Sequence, residues 1–193
     1  MALNLVPEIE EEGRKWRFMG IYGKNREEWV LTDIADFKNS IVTIAFYDTL
    51  GPQAVEFVIR QTNLTTISCS GNYLPSLIKL KREGKANTVE NLVSFDKFEA
   101  QLKDDGKSAG LNIYHINEVM EAGKNYGDMT FNEPKHDSIK MFCYTSGTTG
   151  DPKAAMLTHR NLLASSAAAK AEGLVFTEFD RHISYLPLAH SFE

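Results

Sequence analysis

The chain has 193 residues, 42% hydrophobic and 24% charged, a balance that suits a globular chain with a sizeable core and sets disorder aside. Its formal net charge of -5 and pI near 5.6, with no dominant Lys/Arg stripe, exclude a nucleic-acid partner held by phosphate neutralisation. The opening stretch "MALNLVPEIEEEGRKW" turns acidic early and has no apolar leader core, and no run approaches the roughly 18 apolar residues of a membrane span, so neither export nor membrane spanning is expected.

The pattern then alternates apolar runs with amphipathic stretches. "RFMGIYG" (17–23) predicts a strand, and "NREEWVLTDIADFKN" a helix with Asn25 as N-cap and Val30, Ile34 and Phe37 on one face. "SIVTIAFYD" (40–48) is nearly continuous in apolar residues, as a strand covered on both sides would be, and "GPQAVEFVIRQTN" starts a helix at Pro52. "TTISCS" (65–70) is the next strand and "YLPSLIKLKREGK" the next helix. "TVENLVSF" (88–95), a short helix from Asp96, "GLNIYHI" (110–116) and a helix from Asn117 to about Tyr126 follow, and 124–137 reads as a linker. Strands alternating with helices of this length predict an α/β fold with a mostly parallel sheet flanked by helices. Cys69 and Cys143 lie far apart inside strand-like runs, which predicts free buried thiols in a reducing compartment. Trp16 and Trp29 read as core aromatics.

Beyond the linker, "SIKMFCY" (138–144) predicts a strand, "TSGTTGDP" a loop, "KAAMLTH" an extended run and "RNLLASSAAAKAE" a helix. In the loop, Gly147 and Gly150 allow positive φ and close backbone approach, while Thr145, Ser146, Thr148 and Thr149 set hydroxyls beside backbone N–H groups. Such a concavity binds anions, and a polyphosphate is the ligand most in need of many donors. Lys153 adds a point charge suited to a phosphate oxygen. A Walker-type loop would require a lysine directly after the second glycine and a hydroxyl after the lysine; Asp151, Pro152 and Ala154 break that pattern. A plain hydroxylated hairpin turn, with no ligand, uses the same residue types.

A strand, then "YTSGTTGDPK", then "TH" before a helix resembles the phosphate-binding signature of the adenylate-forming (AMP-binding) enzymes. "GIYGKNREEW" (20–29), "FYDTLGPQAVEFVI" (46–59) and "YLPLAHSFE" (185–193) resemble, in order, segments of eukaryotic long-chain fatty acyl-CoA synthetases. The resemblance covers nearly the whole chain. It implies a fatty acid-CoA ligase that uses ATP, Mg2+ and coenzyme A, with fatty acid, ATP and CoA as its small-molecule partners. It further implies that the Thr145–Lys153 loop holds the β- and γ-phosphates, with Thr145 as a Mg ligand and Lys153 as phosphate partner, and that His190 lies near the adenylate and the acyl tunnel as a gate. His190 is expected just after a short strand ending at Pro187; a packed or exposed loop histidine is the alternative. His159 is expected to cap or orient a helix start, and Asp48 to serve turn chemistry.

The motifs that the family carries for adenine, ribose and a Mg-binding glutamate, and its C-terminal domain with a catalytic lysine, are not found in the sequence. Residues 1–193 are therefore expected to be a partial N-terminal adenylation domain, inactive alone; a stand-alone protein that keeps phosphate binding without ligation is the alternative. Family resemblance also implies work at a cytoplasmic membrane face, that of the endoplasmic reticulum or the peroxisome.

Overall fold

Apolar β-branched runs become the strands of a seven-stranded sheet in the computed structural model, which describes residues 3–124, 131–145, 152–175 and 177–190. A short antiparallel pair, β1 (Ile9–Glu11) and β2 (Arg14–Trp16), precedes the sheet. The large sheet contains β3 (Phe18–Tyr22), β4 (Val42–Phe46), β5 (Thr66–Cys69), β6 (Asn91–Ser94), β7 (Asn112–His115), β8 (Ile139–Thr145) and β9 (Lys153–Thr158). The helices are α1 (Glu27–Lys38), α2 (Pro52–Thr62), α3 (Leu74–Arg82), α4 (Ala100–Ser108), α5 (Ile116–Lys124) and α6 (His159–Ala171).

Across the sheet the order is β7-β6-β5-β3-β4-β8-β9, with every pair parallel except β8 and β9. The expected mostly parallel α/β architecture is thus present. From β3 the chain moves through α1 to β4 on one side, then crosses back through α2 to β5 on the other. Right-handed crossovers that start in opposite directions place their helices on opposite faces. The packing agrees: Val55, Val58 and Ile59 of α2 and Leu77 and Ile78 of α3 cluster with Phe18, Tyr22, Val42, Ile44 and Phe46. Trp29 of α1 and Ile116 of α5 cluster with Met19, Ile21 and Ala45.

All residues of β3 and β4 are buried, which follows from their being covered on both faces. Gly20, at the middle of β3, makes that possible: a Cβ there would lie 2.8 Å from Leu64 Cδ2 and 3.1 Å from both Ile67 Cγ1 and Phe46 Cε2. Cys69 and Cys143 are buried thiols outside any disulfide, as expected.

Helix α1 departs from its expected orientation. Val30, Ile34 and Phe37 are 39%, 47% and 43% exposed, whereas Trp29 and Asp36 face inward. The inward polar residue is explained by a charge network. Thr43 Oγ1 donates to Asp33 Oδ1 at 2.7 Å and lies 3.3 Å from Asp36 Oδ2, and the buried Lys140 of β8 pairs with Asp33. This network fastens α1 to the sheet through charge where apolar contact was anticipated. Helix α4 begins at Ala100 rather than Asp96, because Asp96 is engaged elsewhere. Trp16 is half-buried against Phe18 and Phe142.

Burial, reinforced by the neighbouring Asp33 charge, raises the Asp36 carboxyl well above its ordinary value, against the opposing Lys140 charge and the Thr43 hydrogen bond. The folded state then keeps a proton that an unfolded aspartate releases near about pH 3.9. Stability from this group is fully present below that value and is lost as pH rises toward the raised one. In urea unfolding at several pH values, Asp36→Asn should abolish this decline; an identical pH profile in both proteins would contradict it. Gly20→Ala should destabilise the fold by about 1–3 kcal/mol through overpacking, lowering the urea midpoint without changing the slope.

Candidate functional site at the carboxyl edge of the sheet

Because β3 through β8 run parallel, their carboxyl ends share one edge of the sheet. The Thr145–Lys153 loop rises from that edge. Thr145, the last residue of β8, is in register with Lys153, the first of β9, so the two strands form the stem of an antiparallel hairpin. Lys153 is exposed at the start of β9. Ser146, Gly147, Thr148, Thr149 and Gly150, expected to cradle phosphates, lie outside the described residues, as does the side chain of Thr145.

His190 belongs to a turn in which its N–H donates to Pro187 O at 2.7 Å. The imidazole is exposed while the preceding Ala189 is buried among Met19, Ile21 and Cys143 neighbours. The short strand expected to end at Pro187 is absent; residues 181–187 have no regular secondary structure. Both flanks of β3, the strand these residues approach, are already occupied by β4 and β5, so no edge remains for them to pair with.

Asn25 takes over that role, and it does not cap α1. The N-cap position belongs to Arg26 and carries no side-chain cap, which forgoes roughly 1 kcal/mol of helix stabilisation. Instead the Asn25 amide donates to Leu186 O at 2.6 Å and Ser184 Oγ at 2.9 Å, and its carbonyl accepts from the Leu188 N–H at 2.8 Å. His159 also differs from expectation. It is the first residue of α6, and Thr158 is the N-cap, in a reciprocal capping box with Asn161. Burial, then the Lys140 charge, holds the His159 imidazole below its ordinary value, and its ring lies 5.1 Å from that of Phe37.

Strands β3 and β5 sit side by side, yet the chain leaves them in opposite directions, which makes their carboxyl ends a topological switch point. A crevice of about 260 Å³ opens there, lined by Lys24, Asn25, Arg26, Ser70, Asn72, Tyr73 and Asp96. Arg26 Nη1 reaches the two Asp96 oxygens at 2.9 and 3.0 Å, and its Nε pairs with Glu28 at 2.7 Å. Burial opposes ionisation of Asp96, but the Gly71 N–H and the Arg26 guanidinium outweigh it and hold the carboxyl below its ordinary value. Asp48 sits in the turn after β4, as expected, and its carbonyl lies 3.4 Å from the Tyr73 hydroxyl.

The β8–β9 hairpin stem ends at Thr145 and the His190 turn is fastened beyond β3, with only β4 between β8 and β3. At about 4.8 Å per strand the two features start about 10 Å apart along one edge. Lys153 and His190, the residues expected at the site, lie at the start of β9 and in the turn after Pro187, while Asn25 and the Arg26–Asp96 pair were not anticipated as neighbours of that edge. Partners more than a hundred residues from Asn25 leave no local signal. Among the described residues no group of three or more His, Cys, Asp or Glu could hold a metal, and no helix is long and apolar enough to cross a membrane.

The chain is similar to known proteins in sequence and in fold. The chain is 35% identical over 184 residues to Long-chain-fatty-acid–CoA ligase 5 of Mus musculus, covering 92% of this chain and 26% of that protein. It is 37% identical over 175 residues to Long chain acyl-CoA synthetase 7, peroxisomal, of Arabidopsis thaliana, covering 91% and 24%. The chain thus spans about a quarter of the length of these curated relatives. In fold it matches the A domain of carboxylic acid reductase from Segniliparus rugosus, solved in complex with AMP and a co-purified carboxylic acid, with a TM-score of 0.67 at 18% identity, over 90% of this chain and 30% of that one. With the family model described as AMP-binding enzyme matching residues 13–193, the chain belongs to the AMP-binding enzyme family.

Proposed function

We propose that the chain is the phosphate-binding part of a long-chain fatty acid-CoA ligase. The observation that carries this is the Thr145/Lys153 hairpin stem, which brings a hydroxyl- and glycine-rich loop to the carboxyl edge of a parallel sheet. The relatives, named as long-chain acyl-CoA ligases, support the substrate class.

The chemistry explains the loop. A carboxylate is a poor acyl donor, and the triphosphate charge repels it. In the reaction, a carboxylate oxygen of the fatty acid attacks the α-phosphorus of ATP, and the bond to the bridging oxygen breaks. Pyrophosphate leaves with the electron pair. The coenzyme A thiolate then attacks the acyl carbon, and AMP departs. Donors fixed in advance around the β- and γ-phosphates stabilise the departing charge without reorganising. Backbone N–H groups at Gly147 and Gly150, the hydroxyls of Ser146, Thr148 and Thr149, and the Lys153 ammonium are the proposed donors.

Magnesium fits this donor set. It keeps several waters and takes substrate phosphates plus one or two protein oxygens, so no cage of carboxylates is needed. Thr145 is its proposed protein ligand, and the ion neutralises phosphate charge when bound. His190 is the proposed gate between adenylate and acyl chain, and coenzyme A the acyl acceptor. The proposed setting is the cytoplasmic face of an endoplasmic reticulum or peroxisomal membrane, in line with the peroxisomal name of the Arabidopsis relative.

The direct test is calorimetric titration of the chain with MgATP. Lys153→Ala should weaken binding by about tenfold, the loss of one charged hydrogen bond; equal affinity in both proteins, or no binding by the parent chain, would sink the assignment. A second test replaces the matching segment of the mouse ligase with residues 13–193. There, palmitate-dependent pyrophosphate release should fall about a hundredfold in Lys153→Ala. In the same chimera His190→Ala should raise KM for palmitate severalfold with KM for ATP unchanged.

A further inference from the structure

The segment 181–190 returns to the sheet without a strand to join, so its backbone groups need partners from elsewhere. One side chain supplies them at several points. Asn25 Nδ2 is 2.6 Å from Leu186 O, 2.9 Å from Ser184 Oγ and 3.3 Å from Ser184 O, the last shared with a shorter bond. Its Oδ1 accepts from the Leu188 N–H at 2.8 Å. The network fixes the amide's orientation, because two carbonyl oxygens demand the NH2 side and an N–H demands the oxygen. Asparagine alone fits these requirements. Aspartate has no donor, leucine neither donor nor acceptor, and glutamine is a methylene longer.

Both ends of the clamp are braced. On one side, Asn25 precedes Arg26, whose guanidinium spans to Asp96 and lies 5.4 Å over the Phe95 ring. Asp96 in turn accepts the Gly71 N–H at 2.8 Å, so the loops after β3, β5 and β6 are tied together. On the other side, Leu188 and Ala189 pack into the core with Met19 and Cys143. His190 is the next residue, and its N–H is already committed to Pro187 O. Little freedom remains for the position of its Cα.

We propose that Asn25 is the positioning residue for His190: its amide stands in for strand pairing and holds the 184–188 turn at the carboxyl edge of β3. The contribution to catalysis rests on the ligase function proposed above; the placement of the turn does not. Asn25 itself needs no contact with the reacting atoms.

Amide exchange followed by NMR on the full chain tests the placement. In Asn25→Ala the Leu188 amide should exchange at least tenfold faster and the His190 ring signals should shift, while amides in the middle of β3 and β4 keep their protection. Asn25→Asp keeps the acceptor but sets a carboxylate oxygen against the Leu186 carbonyl, so it should not restore the protection at Leu188. Unchanged Leu188 exchange and His190 signals in Asn25→Ala overturn the proposal. Should that variant fail to fold, Ser184→Ala removes one arm of the clamp and must produce a smaller change at the same signals; no change overturns it equally. In the chimeric ligase, Asn25→Ala should lower kcat/KM for palmitate, and adding it to His190→Ala should cost nothing more. Additive losses would overturn a role exerted through His190. If His190→Ala is silent in turnover while Leu188 still responds to Asn25→Ala, the gate assigned to His190 falls and the positioning of the turn stands.

Discussion

Strand β3 is hydrogen-bonded on both flanks and covered on both faces, and the other features of the molecule are arranged around that constraint. A strand so placed must be apolar throughout and narrow at its centre, which is why Gly20 sits where Leu64, Ile67 and Phe46 converge. Its position also forces the connections to diverge: one leads through α1 toward β4 and β8, the other arrives through α2 at β5 and continues to β7. Divergence leaves the crevice at the carboxyl ends open. The 184–190 turn is held there by the Asn25 amide, which follows β3.

Charge then fixes what apolar packing leaves loose. Asp33 and Asp36 on α1 meet Thr43 on β4 and Lys140 on β8, so the helix beside the switch point is tied to the strand that leads into the Thr145–Lys153 hairpin. Arg26 and Asp96 do the same for the loops after β3 and β6. The Lys140–Asp33 pair is the more buried of the two; such pairs add little net stability against an apolar replacement, but losing one partner strands the other. Their value lies in register: a polar pair tolerates only one alignment, where an apolar stripe tolerates several. The outward turn of Val30, Ile34 and Phe37 follows from this, since α1 turns Asp33 and Asp36 toward Thr43 and buries the Trp29 ring.

The strands were legible because burial on both faces writes a continuous apolar run, as in "IVTIAF", and the helices because Pro52 and the amphipathic period mark them. Parallel pairing was legible from alternation alone. The lateral order was not, since nothing in the sequence says that β5 returns to the far side of β3. The contacts that depend on that order were equally hidden. Asn25 looks like a helix cap when only its neighbours in sequence are considered, and the segment before Pro187 looks like a strand until the sheet proves to have no vacant flank beside β3. At Asn25 the side chain's affinity for backbone groups was legible and its partner was not; the strand before Pro187 is absent.

The loop that identifies the family shows why the strand after it matters. In a Walker-type loop the chain runs directly into a helix, whose N-terminal dipole and free N–H groups add to the attraction for phosphate. Here the chain enters β9, antiparallel to β8, and the next helix begins only at His159. A strand has almost no net dipole to offer. Under the proposed phosphate-binding role, the charge and the donors would come from the loop and its stem, in keeping with the run of hydroxyls in "TSGTT" and a lysine at the first residue of the returning strand. The lysine belongs to the hairpin stem, in register with Thr145, and so stands on a strand, where a Walker-type lysine would stand at the start of a helix.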